Sequence, residues 1–98
     1  MNLPKNLSEN IKNEHIDGIF PLIEIELKGD FYLKQIIETL QNRYKIPYNI
    51  IKADIEYSGK ANFGKILIHL KGKKESNDEV IQYFMQSKIT TQLRGYAA

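Results

Sequence analysis

Cysteine and tryptophan are both missing from the 98 residues. Without cysteine there is no disulfide, no thiolate nucleophile and no thiolate metal ligand, a usage that fits a reducing compartment. Histidine is scarce: His15 and His69 stand far apart, too few for a nucleophile–base pair or a zinc site. No apolar run approaches the roughly 20 residues of a membrane-spanning helix. The start, Met1-Asn2-Leu3-Pro4-Lys5, lacks the apolar centre of a signal peptide. Neither sign of charge dominates. The net charge is +2 and scattered, which leaves no electrostatic footprint for nucleic acid. The expectation is a soluble, non-catalytic domain with no metal and no cofactor of its own.

What is present suits one small globular domain: 42% of residues are hydrophobic and 27% charged. A chain this short buries a modest core, which a second copy against one face would reinforce.

Residues 1–19 read as a linker or lead-in from an upstream domain. Asn, Lys and Glu dominate, the apolar residues Leu3, Leu7, Ile11 and Ile16 are isolated, and Pro4 and Gly18 punctuate the stretch. A short helix is expected near residues 8–14. The folded domain is residues 20–98. There Ile23, Ile25 and Leu27 alternate with Glu24, Glu26 and Lys28, the period of a half-buried strand. Asp30 is the expected N-cap of a helix carrying Leu33, Ile36, Ile37, Leu40 and Tyr44 on one stripe, and Pro47 excludes further helix.

A second strand is expected over 48–57, with Ile51, Ala53 and Ile55 on one side and Lys52, Asp54 and Glu56 on the other. A turn over 58–62 returns the chain into a strand over 63–71, burying Ile66, Ile68 and Leu70. Ser76-Asn77-Asp78-Glu79 has the form of a capping box opening a second helix with Val80, Ile81, Phe84 and Met85. A last strand is expected over 89–96. The order β-α-β-β-α-β predicts an α+β, ferredoxin-like fold: a four-stranded antiparallel sheet with two helices on one face. The open face then carries Leu22, Ile50 and Leu67, for which a second copy is the simplest cover.

The loudest motif misleads. Gly59-Lys60-Ala61-Asn62-Phe63-Gly64-Lys65 matches the start of a P-loop, yet Ile66 stands where Ser or Thr would ligate magnesium. The motif also leads into a strand, not into a helix whose amides hold phosphate. The same stretch partly matches an RNA-recognition motif, but Lys65 and Ile68 occupy the positions where aromatics would stack bases. Lys71, Lys73 and Lys74 read as a solvated turn, His69 as a surface strand residue, and Asp54 and Glu56 as solvated or bridging to Lys52 or Lys65.

Asn49 has two readings. Asn is disfavoured in strands, and here it opens one directly before Ile50-Ile51. Physics alone favours a strand-start cap after Pro47. The other reading is a ligand contact, its amide reading a polar head while neighbouring Ile and Phe side chains hold an apolar tail.

Tyr48-Asn49-Ile50-Ile51-Lys52-Ala53-Asp54-Ile55, then Phe63-Gly64-Lys65-Ile66, Gly72 and Gly95-Tyr96 together resemble the NIL domain, named for an Asn-Ile-Leu motif that is Asn-Ile-Ile here. The resemblance covers about residues 20–97. It implies an ACT-like fold at the C-terminus of the ATP-binding subunit of methionine-import ABC transporters. It further implies a homodimer that binds cytoplasmic methionine near its interface and restrains transport. The parent would sit on the cytoplasmic side of the cell membrane against a permease subunit, with ATP and magnesium held upstream of this chain. Carried over by position, Asn49, Ile50, Ile51, Phe63 and Gly64 are the ligand-binding residues, with Tyr48, Ala53 and Ile66 as further candidates. A purely structural dimerisation module is the alternative, and an RNA-binding domain a lesser one.

Overall fold

The computed structural model describes residues 2–5, 11–12, 18–29, 32–59 and 61–98. Strands β1 (Phe20–Lys28), β2 (Tyr48–Ser58), β3 (Ala61–Leu70) and β4 (Thr90–Ala97) form one antiparallel sheet in the order β2-β3-β1-β4. Helix α1 (Leu33–Glu38) runs on into a π-helical turn over Thr39–Arg43, and α2 (Lys74–Gln86) precedes β4. This is the expected α+β, ferredoxin-like arrangement. Among the described residues no helix is long and apolar enough to cross a membrane.

The core forms because period two on the strands meets period 3.6 on the helices. Ile23, Ile25 and Leu27 of β1 and Ile66, Ile68 and Leu70 of β3 face Ile36 and Leu40 of α1 and Val80 and Phe84 of α2. Both helices therefore pack on one face.

Two helix starts differ from the sequence reading. The expected cap Asp30 lies outside the described residues. The amides of α1's first turn are met instead by Gln35 Oε1, which accepts from Tyr32 N at 2.8 Å, and by Asn62 Oδ1, which accepts from Leu33 N at 2.7 Å. A buried side chain from the hairpin thus caps the helix. In α2 the helix already begins at Lys74, so Ser76–Glu79 is no capping box. Asn77, 1% exposed, turns back to the β3–α2 loop: its Oδ1 accepts from Gly72 N at 3.1 Å and its Nδ2 donates to Gly72 O at 3.0 Å.

The helix-free face departs from expectation at two points. A β-bulge between Ile50 and Lys52 changes the register of β2. Ile50 is set opposite Ile68, while Ile51 packs with Leu22 and Leu67, the reverse of the alternation read from the sequence. Secondly, the chain's own lead-in covers part of this face. Leu3 and Ile11 pack on Leu22, Leu67 and Ala97. Lys12 pairs with Tyr96, each amide donating to the other's carbonyl at 2.8 Å. Gly95 makes room for this crossing: a Cβ there would meet Ile11 Cδ1 at 2.7 Å and Lys12 O at 2.8 Å. Of the helix expected near residues 8–14 only Ile11 and Lys12 are described, and they are not helical: Lys12 is bridged to Tyr96.

Candidate ligand site

β2 is an edge strand, and Asn49 lies at its start, exposed and directly opposite His69. A strand-start cap needs the carboxamide to bond local backbone. Among the described residues the Asn49 side chain makes no hydrogen bond, so its donors and acceptor are available to a ligand. Ile50, 45% exposed, and the half-buried Ile51 follow it. Tyr48 lies opposite Leu70 and packs on the core from the helix side.

Phe63 and Gly64 lie elsewhere. Phe63 is opposite Glu56 and Gly64 opposite Ile55, at the hairpin end of the same two strands. His69 and Phe63 are six residues apart on β3, which at about 3.3 Å per residue separates the two halves by roughly 20 Å. One chain therefore does not bring Asn49 and Phe63 together. Ala53 and Ile66 lie between them as a cross-strand pair; Ala53 is exposed at the edge and Ile66 is buried in the core. The G-x-x-x-x-G-K stretch is the β2–β3 hairpin itself. Its ladder closes at Ser58 and Ala61, and Gly59 has φ +62°, the conformation a tight hairpin turn requires.

Phe63 is 42% exposed, and its ring lies on Gly29, where a Cβ would meet it at 2.9 Å. Gly64, with φ +133°, is held by sterics: a Cβ would overlap the Asp54 carbonyl oxygen. Glycine at 64 thus answers to strand pairing.

Two polar groups on this face escaped the sequence reading. His69 is 2% exposed, not a surface residue. Its Nε2 lies 2.9 Å from Ala97 O and 3.1 Å from Phe20 O, and since both partners only accept, Nε2 carries the hydrogen. Burial holds the imidazole below its ordinary pKa of 6.5, the hydrogen bond to Ala97 opposes this, and the nearby Lys71 charge adds to the lowering. Glu24 is 7% exposed and bonds Arg94, Nη1 to Oε1 at 2.6 Å, with Lys65 Nζ 3.9 Å from its other oxygen. Alternation alone marks Glu24 as solvated. The irregular register between β1 and β4 at Leu22/Ile23, which sets Gly95 and Leu93 opposite successive residues, leaves Arg94 beside it.

The lowered pKa of His69 sets a sign for acid stability. The unfolded chain takes up the proton first, so stability falls as pH drops below about 6.5 and levels once the folded-state pKa is passed. Urea midpoints measured from pH 7.5 to pH 5 should decline in the wild type and decline less in His69→Gln, whose amide still donates. Equal slopes would refute the assignment to His69.

Among the described residues no group of three His, Asp or Glu side chains is placed to hold a metal. A groove of about 500 Å³ lies between α1 and the hairpin, lined by Leu33, Ile37, Gln41, Tyr57 and Asn62. It is on the helix side and contains none of the residues read as ligand-binding.

The family model described as NIL domain matches residues 21–92. The chain belongs to the NIL domain family. This NIL domain is 25% identical over 96 residues to the methionine import ATP-binding protein MetN of Aliivibrio fischeri, with 98% of the chain and 28% of that protein covered. With MetN of Photobacterium profundum it is 24% identical over 98 residues, covering 100% of the chain and 28% of the relative. It thus spans a little over a quarter of the length of these relatives. Its fold is similar to that in the crystal structure of the C-terminal domain of an ABC transporter ATP-binding protein from Enterococcus faecalis, with TM-score 0.70, 16% identity and 93% of both chains covered.

Proposed function

We propose that this NIL domain is the C-terminal regulatory domain of the ATP-binding subunit of a methionine-import ABC transporter. It binds cytoplasmic methionine at or near the contact between two copies and lowers transport when methionine is plentiful. The observation that carries the reading is the end-to-end match to methionine import ATP-binding proteins, within which the chain spans only the length of one small domain. The unengaged carboxamide of Asn49 beside Ile50 and Ile51 supports it as a polar head-group contact next to apolar surface. ATP, magnesium and the permease contact belong to the rest of the parent protein.

The mechanism is linkage. Methionine favours one arrangement of the paired regulatory domains, and if that arrangement holds the ATPase domains apart, binding and inhibition are one coupling seen from two sites. A coupling of about 1–3 kcal/mol gives a 5- to 150-fold effect.

Calorimetric titration with L-methionine tests the reading. Saturable heat is expected, reduced about tenfold in affinity by Asn49→Ala with the fold intact. No heat at millimolar methionine from a folded dimer would sink the ligand claim. The exposure of Ile50 and of Tyr57 (68%) on the edge strand favours a second reading, a dimerisation module indifferent to amino acids. Sedimentation with and without methionine separates the two.

A further inference from the structure

The lead-in does more than shield part of the helix-free face; it crosses the whole sheet. At one side Lys12 pairs with Tyr96 of β4 through two hydrogen bonds of 2.8 Å. In the middle Leu3 and Ile11 pack on Leu22 and Leu67. At the other side Asn2 shares a hollow with Lys52 and Asp54 of β2 and with Gly64 and Lys65 of β3. The lead-in thus reaches the edge strand that carries Asn49, Ile50 and Ile51.

Two features tie it to those three residues. The first is a shared apolar patch. Ile51, Leu3 and Ile11 all pack on the buried pair Leu22 and Leu67, so lifting the lead-in would open to water the patch on which Ile51 sits. Ile51 takes this face only through the bulge before Lys52. The second is a cross-strand row. Asn49 is opposite His69, His69 opposite Leu22, and Leu22 opposite Gly95. Gly95 in turn lies under Ile11 and Lys12, where a Cβ would meet Ile11 Cδ1 at 2.7 Å and Lys12 O at 2.8 Å. Residues opposite one another share a sheet face. His69 ties the row together, its Nε2 donating to Ala97 O at the end of β4 and to Phe20 O at the start of β1.

The hold on the lead-in is slight. Among the described residues it is two half-buried apolar side chains and one bridge at Lys12. Against this stands the cost of ordering the backbone. A segment held so lightly opens locally while the sheet stays folded. A ligand with a modest preference for the docked form is then enough to shift the balance.

We propose that the lead-in is a strap that positions the ligand site. Docked, it holds Ile51 against Leu22 and Leu67 and keeps Asn49 and Ile50 presented beside it. Methionine binding and strap docking therefore strengthen each other, an inference that rests on the ligand reading above. Leu3 and Ile11 are positioning residues, acting through Leu22, Leu67 and Ile51. In the proposed parent the same strap leads from the rest of the subunit, so a ligand that tightens it pulls on the connection between the two.

Amide hydrogen exchange and calorimetry on this chain test the proposal. Saturating L-methionine is expected to slow exchange at Lys12 and Tyr96 about fivefold or more, with no matching change at Ser87 on the helix side. Ile11→Asp and, independently, Leu3→Asp should free the strap, remove the protection at Lys12 and weaken methionine binding. Because coupling is reciprocal, the loss of affinity should match the factor by which methionine slows Lys12 exchange. Ile11→Val keeps the apolar cover and should bind as the wild type does. Methionine binding that leaves Lys12 exchange unchanged, or slows every amide alike, overturns the strap and leaves the ligand reading standing. So does full affinity in both Asp variants. A wild-type chain that takes no methionine overturns the ligand reading and the strap with it.

Discussion

Gly64→Ala is expected to lower the thermal midpoint by at least about 12 °C. The reason is backbone against backbone. Gly64 has φ +133°, a region L side chains rarely enter, and an added Cβ would overlap the Asp54 carbonyl oxygen and lie 3.0 Å from Ile55 Cα. No flexible side chain can move aside. The conformation alone costs about 1–3 kcal/mol for a residue with a Cβ, and relieving the overlap must push β2 away from β3. A total of about 3 kcal/mol or more follows, a large part of the 5–15 kcal/mol typical of a domain. For a domain of this size each kcal/mol shifts the midpoint by about 4–8 °C. Gly64 was assigned by resemblance to the ligand site, so this substitution should abolish binding as well. The loss would report a broken β2–β3 ladder, not a lost contact. A variant that binds no methionine while keeping its midpoint within about 1 °C would show the opposite, with Gly64 serving the ligand directly.

The fold was readable because its signals are local and periodic. The alternation of Ile23, Ile25 and Leu27, the stripe through Ile36 and Leu40, and the turn at Gly59 each act within a few residues. The order of elements then leaves few topologies. What stayed hidden depends on contacts distant in sequence. Glu24 reads as solvated until Arg94 arrives 70 residues later, and Asn62 reads as a turn residue until α1 settles on it 29 residues away. His69 sits on the face predicted for it, but its burial comes from the ends of β1 and β4.

The candidate site was legible only in part. Residue type singled out Asn49, because an amide opening a strand calls for an explanation. Which face Ile50 and Ile51 take was not legible, since a bulge carries no unambiguous mark in the sequence and inverts the alternation beyond it. Nor could spacing alone show that Asn49 and Phe63 belong to opposite ends of one hairpin. That separation follows from the register.

Asn77→Asp should be destabilised at pH 7 by about 2–3 kcal/mol and should recover in acid, against the trend of the wild type. Asn77 meets both the N–H and the C=O of Gly72 with one carboxamide. Aspartate keeps the acceptor for Gly72 N but loses the donor, and it turns a charged oxygen toward the Gly72 carbonyl at a site 1% exposed. An unmet buried acceptor costs about 1–3 kcal/mol, more where a charge is involved. Protonation restores a donor. Burial and the facing carbonyl raise the folded-state pKa of this carboxyl above about 3.9, so the folded state takes up the proton first and the variant gains stability as pH falls through that raised value. In the wild type His69 works the other way, since its lowered pKa removes stability below about pH 6.5. The two slopes therefore oppose each other, and urea midpoints at pH 7.5 and pH 4 separate them. The consequence reaches the proposed ligand site. Gly72 packs on Ile46, and Lys71 N donates to Pro47 O at 2.7 Å, so the loop that Asn77 holds also fixes the entry to Tyr48-Asn49. Methionine affinity of Asn77→Asp should track its stability, weak at neutral pH and partly regained in mild acid. Unchanged affinity in a destabilised variant would separate the loop from the site.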